Sequence, residues 1–166
     1  MQKNNYEKII KNKAKGKKSF AVLIDPDKFE STEVISKANR AGVDFIMVGG
    51  SILSNGSFEK CIQSIKKNTN IHVLFFPGNH LQISKNADAI LLLSLISGRN
   101  PELLIGKHVI AAPQIKTSNL EVLSTGYMLI ESGRQTSASY MSNTNPIPSD
   151  KTSIAACTAM AGEQLG

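Results

Sequence analysis

The amino-acid sequence predicts an α/β protein in which helices cover a parallel sheet. Short apolar runs recur along the chain, and amphipathic stretches separate them. The runs are apolar at successive positions instead of alternating, which is typical of strands buried on both faces. The intervals between them are long enough for a strand and its crossover helix. A repeated strand-helix pattern is therefore expected.

Five strands are predicted, at residues 20–24, 45–48, 71–76, 89–95 and 127–130. Helices are predicted at 32–41 and 58–68, where apolar residues recur at helical spacing. Residues 142–150 contain two prolines and are expected to form a loop. A last helix is expected at 153–164, with Ser149 or Asp150 available as its cap.

The length of 166 residues suits one domain, residues 1–166, with a sizeable core. Five parallel strands can fill an open doubly wound sheet. They can also belong to a (β/α)8 TIM barrel that is incomplete here, since a closed barrel needs about 250 residues. The strand count alone leaves both architectures open.

Composition and charge narrow the class of protein. The longest uncharged apolar run, residues 89–93, is too short to span a bilayer. The N-terminus lacks the apolar segment of a signal peptide, so a cytoplasmic location is expected. Cys61 and Cys157 have no partner at zinc-ligand or redox spacing and are expected to be core thiols.

The net charge of +6 includes a cluster of lysines before the first strand: Lys11, Lys13, Lys15, Lys17 and Lys18. Such a cluster could contact nucleic acid or an anionic membrane surface. Without interleaved aromatic or Arg residues it is more typical of a solvated helix end. No nucleic-acid partner is expected.

Polar or glycine-rich motifs follow the predicted strands. They read DPDK at 25–28, GGS at 49–51, PGN at 77–79, ISGR at 96–99 and ESG at 131–133. The carboxyl ends of parallel strands share one edge of the sheet, where ligands of such folds bind. Asp25 is a hard oxygen donor there, suited to Mg²⁺ beside a phosphorylated substrate.

Each motif also has a structural interpretation. Asp25 to Asp27 could cap a helix, Ser51 could cap the helix that follows the glycines, and Pro77-Gly78 is typical of a type II turn. Glu131 is expected to be a carboxylate at a buried strand end, which is costly without a partner. The sequence contains no P-loop, no GxGxxG motif and no nucleophile elbow, so metal-assisted transfer of a phosphorylated group fits better than covalent catalysis.

Five motifs, in order, resemble the geranylgeranylglyceryl phosphate synthase family, and the bacterial branch is the nearer one. They are FAVLIDPDK at 20–28, DFIMVGGS at 44–51, FPGN at 76–79, GYMLI at 126–130 and SNTNPIP at 142–148. The resemblance runs from about residue 17 to residue 166. It implies a (β/α)8 barrel of which this chain contains the first five strand-helix units.

The resemblance also implies an activity. It is the Mg²⁺-dependent transfer of a geranylgeranyl-type prenyl group from a prenyl diphosphate to sn-glycerol 1-phosphate, which forms an ether-lipid precursor. Asp25 and Ser51 are implied as the metal ligands. Substrate contacts are expected from Asp27, Lys28, Gly49, Gly50, Gly78, Asn79 and Glu131.

Further expectations concern partners and alternatives. The full-length protein is expected to form a homo-oligomer and to associate transiently with a membrane surface. The family's glycerol phosphate clamp, built on strands six to eight, has no counterpart in the 166 residues. A non-catalytic fragment that binds metal and diphosphate is therefore one alternative, and another phosphate-binding α/β-barrel enzyme is a second. A chain that ended at Gly166 would expose sheet edges and is expected to self-associate or to be marginally stable.

Overall fold

A computed structural model describes residues 4–79 and 82–166. Within these ranges the helices are α1 (Asn5–Ala14), α2 (Glu33–Arg40), α3 (Phe58–Asn68), α4 (Gly106–Ser118), α5 (Ser137–Ser142) and α6 (Thr152–Leu165). The strands are β1 (Ala21–Ile24), β2 (Phe45–Val48), β3 (His72–Phe75), β4 (Ala89–Leu95) and β5 (Glu121–Tyr127). Short 3-10 turns lie at Pro26–Lys28 and Pro101–Leu103.

The strands form one five-stranded sheet in the order β1-β2-β3-β4-β5. The pairs β1–β2, β2–β3 and β3–β4 are parallel. A doubly wound sheet has a point where the strand order reverses, and no reversal occurs here. Strands that follow one another in sequence order are those of a βα barrel, so the prediction of an incomplete barrel is confirmed.

The chain folds as two compact units. The first contains the described residues up to Leu91 together with Gln114–Leu123, and the second contains Leu92–Pro113 with Ser124–Gly166. The first unit contains the most completely buried side chains, namely Ile35, Ile46, Val48, Ile62, Ile65, Val73, Leu74, Phe75 and Ile90. Burying side chains of this size contributes about 1.5 to 3 kcal/mol each before entropy is counted.

Helices α2 and α3 form where the sequence predicts them, and their apolar faces explain why. Ile35 and Ala38 of α2 are buried, and so are Cys61, Ile62 and Ile65 of α3. The Ser57 hydroxyl caps α3 by accepting a hydrogen bond from the Lys60 amide at 3.4 Å. The aromatic ring of Phe58 in α3 meets that of Phe75 edge to face, with 5.0 Å between ring centroids.

Helix α1 lies against the amino-terminal ends of the strands. The Glu121 carboxylate at the start of β5 accepts from the Asn5 backbone amide at 2.8 Å, the Asn5 side-chain amide at 2.7 Å and the Tyr6 amide at 2.8 Å. Asn5 is fully buried, and its side-chain oxygen lies 2.5 Å from His72 Nδ1. We call this set of contacts the α1 anchor.

The position predicted for the fifth strand is wrong. Residues 121–127 form β5, which includes only the first residue of the predicted strand at 127–130, and beyond it Ile130 makes an isolated bridge to Ile147. Burial alternates along β5, and its sequence includes Ser124, Thr125 and Gly126, so it lacks the continuous apolar run of the other strands. Glu131 is exposed and is not a buried carboxylate.

Helix α6 forms at Thr152–Leu165, close to its predicted range. Within the described ranges, every helix is too short or too polar to cross a bilayer.

Candidate active site

Three loops of the first unit meet at the carboxyl edge of the sheet. Ile24 is in register with Val48, and Val48 with Phe75. The pairing continues past the strands, because the Gly49 amide donates to the Ile24 carbonyl at 3.1 Å and the Phe76 amide to the Val48 carbonyl at 2.8 Å. The loops that begin at Asp25, Gly49 and Phe76 therefore start side by side.

The Gly49-Gly50-Ser51 loop passes directly beside the Asp25 carboxylate. A Cβ atom placed on Gly50 would lie 3.1 Å from Asp25 Oδ1, closer than side chains usually pack. Glycine leaves this space open, and Ser51 follows at the next position. Asp25 and Ser51 are thus placed on adjacent strand ends at the same edge of the sheet. That the two share a metal ion stays a prediction.

Asp25 has a structural partner as well as a basic neighbour. Its Oδ1 accepts from the Asp27 amide at 3.1 Å, which caps the 3-10 turn at Pro26–Lys28. The Lys28 ammonium lies 3.5 Å from Oδ2, and the Asp25 side chain remains 29% exposed. The carboxylate therefore caps a turn and is still accessible.

Asp27 binds the backbone of the next loop. Its carboxylate accepts from the amides of Ser54 at 2.8 Å, Asn55 at 3.1 Å and Gly56 at 2.6 Å. These bonds, led by those of Ser54 and Gly56, hold the pKa of Asp27 below its ordinary value. We call this arrangement the Asp27 clasp. Residues 54–56 are not among the predicted site residues, although Asn55-Gly56 is a common turn pair.

The backbone amides of Gly78 and Asn79 are both paired in this structure. Both backbone amides donate to the Gln82 side-chain oxygen, at 3.1 and 3.2 Å. A Cβ on Gly78 would lie only 1.9 Å from the Gly50 carbonyl oxygen, so glycine is needed here for close approach of the two loops. The amides of Gly78 and Asn79 are thus paired with Gln82, and Gly78 packs against the backbone of Gly50.

The pKa of the Cys61 thiol in α3 is affected by burial and by the nearby charge of Asp25. Burial raises the pKa of its thiol to about 11, and the negative charge of Asp25 contributes further. The thiol is 3% exposed. Cys61 is a protonated core residue, as predicted, whereas Cys157 is exposed and the prediction of a core thiol there is wrong.

The second unit contains Glu131 and a separate cavity. The Glu131 amide donates to the Ile147 carbonyl at 2.8 Å, and the residue is exposed. A cavity of about 540 Å³ lies between α6 and the residues that follow β4. Its lining is mostly apolar and includes Ile96, Arg99, Leu104, Ile154, Cys157 and Leu165.

Among the described residues, no group of three or more His, Cys, Asp or Glu side chains is placed to hold a metal ion. Mg²⁺ usually takes only one or two protein ligands and keeps water and substrate oxygens in its other positions. Asp25 and Ser51 provide a donor set of that kind.

The chain is similar over its whole length to known synthases. It is 54% identical over 169 residues to geranylgeranylglyceryl phosphate synthase of Chitinophaga pinensis, covering 100% of this chain and 67% of that protein. It is 53% identical over 157 residues to the protein of the same name from Spirosoma linguale, covering 93% and 63%. The chain thus spans about two thirds of the length of these relatives.

Solved structures agree with the sequence relatives. The (S)-3-O-geranylgeranylglyceryl phosphate synthase of Thermoplasma acidophilum, determined in complex with substrate sn-glycerol-1-phosphate, superposes with a TM-score of 0.88 at 29% identity. It matches 98% of this chain, which covers 66% of that structure. The model of the PcrB family matches residues 8–166, and with these relatives it shows that the chain belongs to the PcrB family.

Proposed function

We propose that this protein transfers a geranylgeranyl-type prenyl group from a prenyl diphosphate to sn-glycerol 1-phosphate with Mg²⁺ present. The observation that carries the proposal is the approach of the Gly49-Gly50-Ser51 loop to the Asp25 carboxylate at the carboxyl edge of the sheet. In the reaction a bond forms between the glycerol oxygen and C1 of the prenyl chain. The bond from C1 to the diphosphate breaks, and the hydroxyl proton is released. The product is an ether-lipid precursor.

The chemistry of the site fits Mg²⁺. The Asp25 carboxylate and the Ser51 hydroxyl are hard oxygen donors, and the space kept open by Gly50 lies against Asp25 Oδ1. When bound, Mg²⁺ would offset the negative charge that develops on the leaving diphosphate. Asp25 remains accessible enough for this role.

Lys28 is suited to the diphosphate. Its ammonium is 83% exposed and lies 3.5 Å from the Asp25 carboxylate. An exposed ion pair of this kind is weak, so the lysine can exchange Asp25 for a substrate oxygen at little cost. We therefore assign Lys28 to binding the diphosphate.

Among the other predicted substrate contacts, three residues already use their backbone amides in hydrogen bonds within the protein. The Gly49 amide is paired with β1, and the amides of Gly78 and Asn79 are paired with Gln82. These residues shape the site by close backbone packing. A direct contact from Glu131 stays a prediction.

The support for glycerol phosphate as the acceptor comes from a relative. The structure from Thermoplasma acidophilum is a complex with sn-glycerol-1-phosphate and is 29% identical to this chain. Homo-oligomer formation and transient association with a membrane surface are further proposals. The second of these draws on the lysines at the end of α1 and after it, some of which are paired, as Lys11 is with Glu7 and Lys17 with Asp44.

The test is formation of the prenylated product from labelled glycerol phosphate. We expect Asp25→Ala to reduce Mg²⁺-dependent turnover by about a hundredfold or more, because the proposed metal loses its only carboxylate. Asp150→Asn is the control, since it removes one exposed carboxylate whose partner is the neighbouring Lys151. Unchanged turnover in Asp25→Ala would contradict the site assignment.

A second candidate is a protein that binds metal and diphosphate without transferring the prenyl group. The Asp25 carboxylate and the exposed Lys28 ammonium would suffice for such binding. Calorimetry with Mg²⁺ and inorganic diphosphate, run beside the product assay, separates the two. Binding without product would favour the second candidate.

A further inference from the structure

The geometry points to Asp27 as a positioning residue of the proposed active site. Its carboxylate holds the loop between β2 and α3 in place and does not itself bind the diphosphate. This inference rests on the proposed function, because the loop it orders is the one that carries Gly50 and Ser51. It replaces the expectation that Asp27 contacts substrate.

The Asp27 carboxylate uses most of its hydrogen-bonding capacity on the loop between β2 and α3. A carboxylate offers about four lone-pair sites. Three backbone amides, those of Ser54, Asn55 and Gly56, lie 2.6 to 3.1 Å from its oxygens. A diphosphate oxygen is also an acceptor with negative charge, so it has no reason to approach this carboxylate.

The shape of the loop between β2 and α3 depends on its contacts with Asp27. Residues 49–57 contain neither helix nor strand. One end is fixed by the Gly49 amide on the Ile24 carbonyl, and the other by the Ser57 cap of α3. Between these ends, Asp27 supplies the contacts to the middle of the loop. A segment of this length without fixed points would lose conformational entropy whenever it became ordered around a ligand.

Tight packing between the two loops accompanies the Asp27 clasp. A Cβ on Gly56 would lie 2.6 Å from the carbonyl carbon and oxygen of Pro26, so the loop touches the backbone that precedes Asp27. On its other side the loop touches Asp25 through Gly50. The two loops thus meet at Gly50 and at Gly56, and Ser51 lies between these two points.

The consequence for the reaction is preorganisation. With the clasp formed, the loop is ordered before the ligand arrives, so binding does not have to supply that ordering. Loss of the clasp should weaken binding of Mg²⁺ and diphosphate and raise KM. It should change kcat much less, because the bound state still contains Asp25, Ser51 and Lys28.

The experiment compares Asp27→Asn and Asp27→Ala with the unaltered protein by amide hydrogen exchange. In Asp27→Asn the side-chain oxygen can keep Asn55 and Gly56, while the new NH2 group faces the Ser54 amide. We expect exchange at Ser54 to rise by about tenfold or more with Gly56 little changed. In Asp27→Ala we expect exchange at all three amides to rise.

Binding of Mg²⁺ with inorganic diphosphate is measured on the same samples. We expect Asp27→Ala to weaken it by about tenfold and Asp27→Asn to weaken it less. Asp44→Asn is the matched control, because Asp44 also accepts a backbone amide, that of Phe20 at 2.9 Å, but at the opposite end of β2. It should leave diphosphate binding unchanged.

Two results would overturn the inference. One is weaker diphosphate binding in Asp27→Ala with unchanged exchange at 54–56, which would make Asp27 a direct ligand. The other is faster exchange at 54–56 with unchanged binding and KM. If Asp27→Ala does not fold, the selective effect on Ser54 in Asp27→Asn decides the question. Failure of the unaltered protein to bind Mg²⁺ and diphosphate would instead contradict the proposed function.

Discussion

At the scale of single residues, the two cysteines differ in environment and should differ in reactivity. The pKa of Cys61 is raised to about 11 from the model-compound value of 9.0, mainly by burial. The thiolate is the reactive form, so at pH 8 Cys61 should react about a hundredfold more slowly than an ordinary thiol. Cys157 is exposed. Labelling with iodoacetamide and peptide mass spectrometry should therefore find the label on Cys157.

The raised pKa of Cys61 determines how its labelling depends on pH. Labelling of Cys61 should increase only as the pH approaches about 11, and in urea both cysteines should react. Cys157→Ser should remove the fast-reacting site. Rapid labelling of Cys61 in the folded protein at pH 8 would show that α3 opens readily.

Residue types at strand ends predicted part of the site. Asp25, Lys28, Gly50 and Ser51 could be assigned to one edge because parallel strands place their carboxyl ends together. The partners of Asp27 could not be assigned, since they are backbone amides. Any residue type except proline has one, so sequence carries little information about which amides a carboxylate will bind.

At the scale of secondary-structure elements, the α1 anchor gives the next prediction. The Glu121 carboxylate accepts three hydrogen bonds from the first turn of α1. Glu121→Gln keeps the shape but removes the charge and one acceptor oxygen. We expect the free energy of unfolding in urea to fall by about 2 kcal/mol.

Glu7→Gln is the control on the same helix. Glu7 forms an exposed pair with Lys11 at 3.1 Å, and such pairs contribute about 0.5 kcal/mol or less. Equal losses of stability in the two variants would indicate that the anchor contributes no more than an ordinary surface contact.

The first four strands could be predicted because each is a short apolar run, and β5 could not. The run at 127–130 resembles a buried strand as closely as residues 45–48 do, yet Tyr127 ends β5 and Ile130 makes only an isolated bridge, to Ile147. β5 has an exposed side, and its polar residues Ser124 and Thr125 interrupt the apolar run. Hydrophobic continuity therefore identifies strands whose apolar residues are consecutive, including the partly exposed β1, and misses a strand that contains polar residues.

At the scale of the whole molecule, the distribution of buried side chains predicts unequal protection. Ile46 of β2, Ile62 of α3 and Phe75 of β3 have no exposed surface. Helix α6 contains no buried residue. Amides in β2 and β3 should therefore exchange with solvent at least about a hundredfold more slowly than those of α6.

Hydrogen exchange followed by mass spectrometry checks this difference. The β1–β2 pair gives an internal reference, because both strands are parallel partners in the first unit. Protection of α6 equal to that of β2 would contradict this prediction.

The fold class could be predicted from sequence because the intervals between apolar runs are long enough for a strand and its crossover helix. The order of the strands could not, since five strands suit either an open sheet or part of a barrel, and the observed order β1-β2-β3-β4-β5 decides between them.

The α1 anchor also bears on the order in which the chain acquires its structure during synthesis. Asn5 leaves the ribosome before its partner Glu121, which follows 116 residues later. At about 5 to 20 residues per second, that interval lasts several seconds or more. Strands β1, β2 and β3 can pair within this time, because each neighbours the next in sequence. Helix α1 is therefore made before these strands but is fixed in place after they pair.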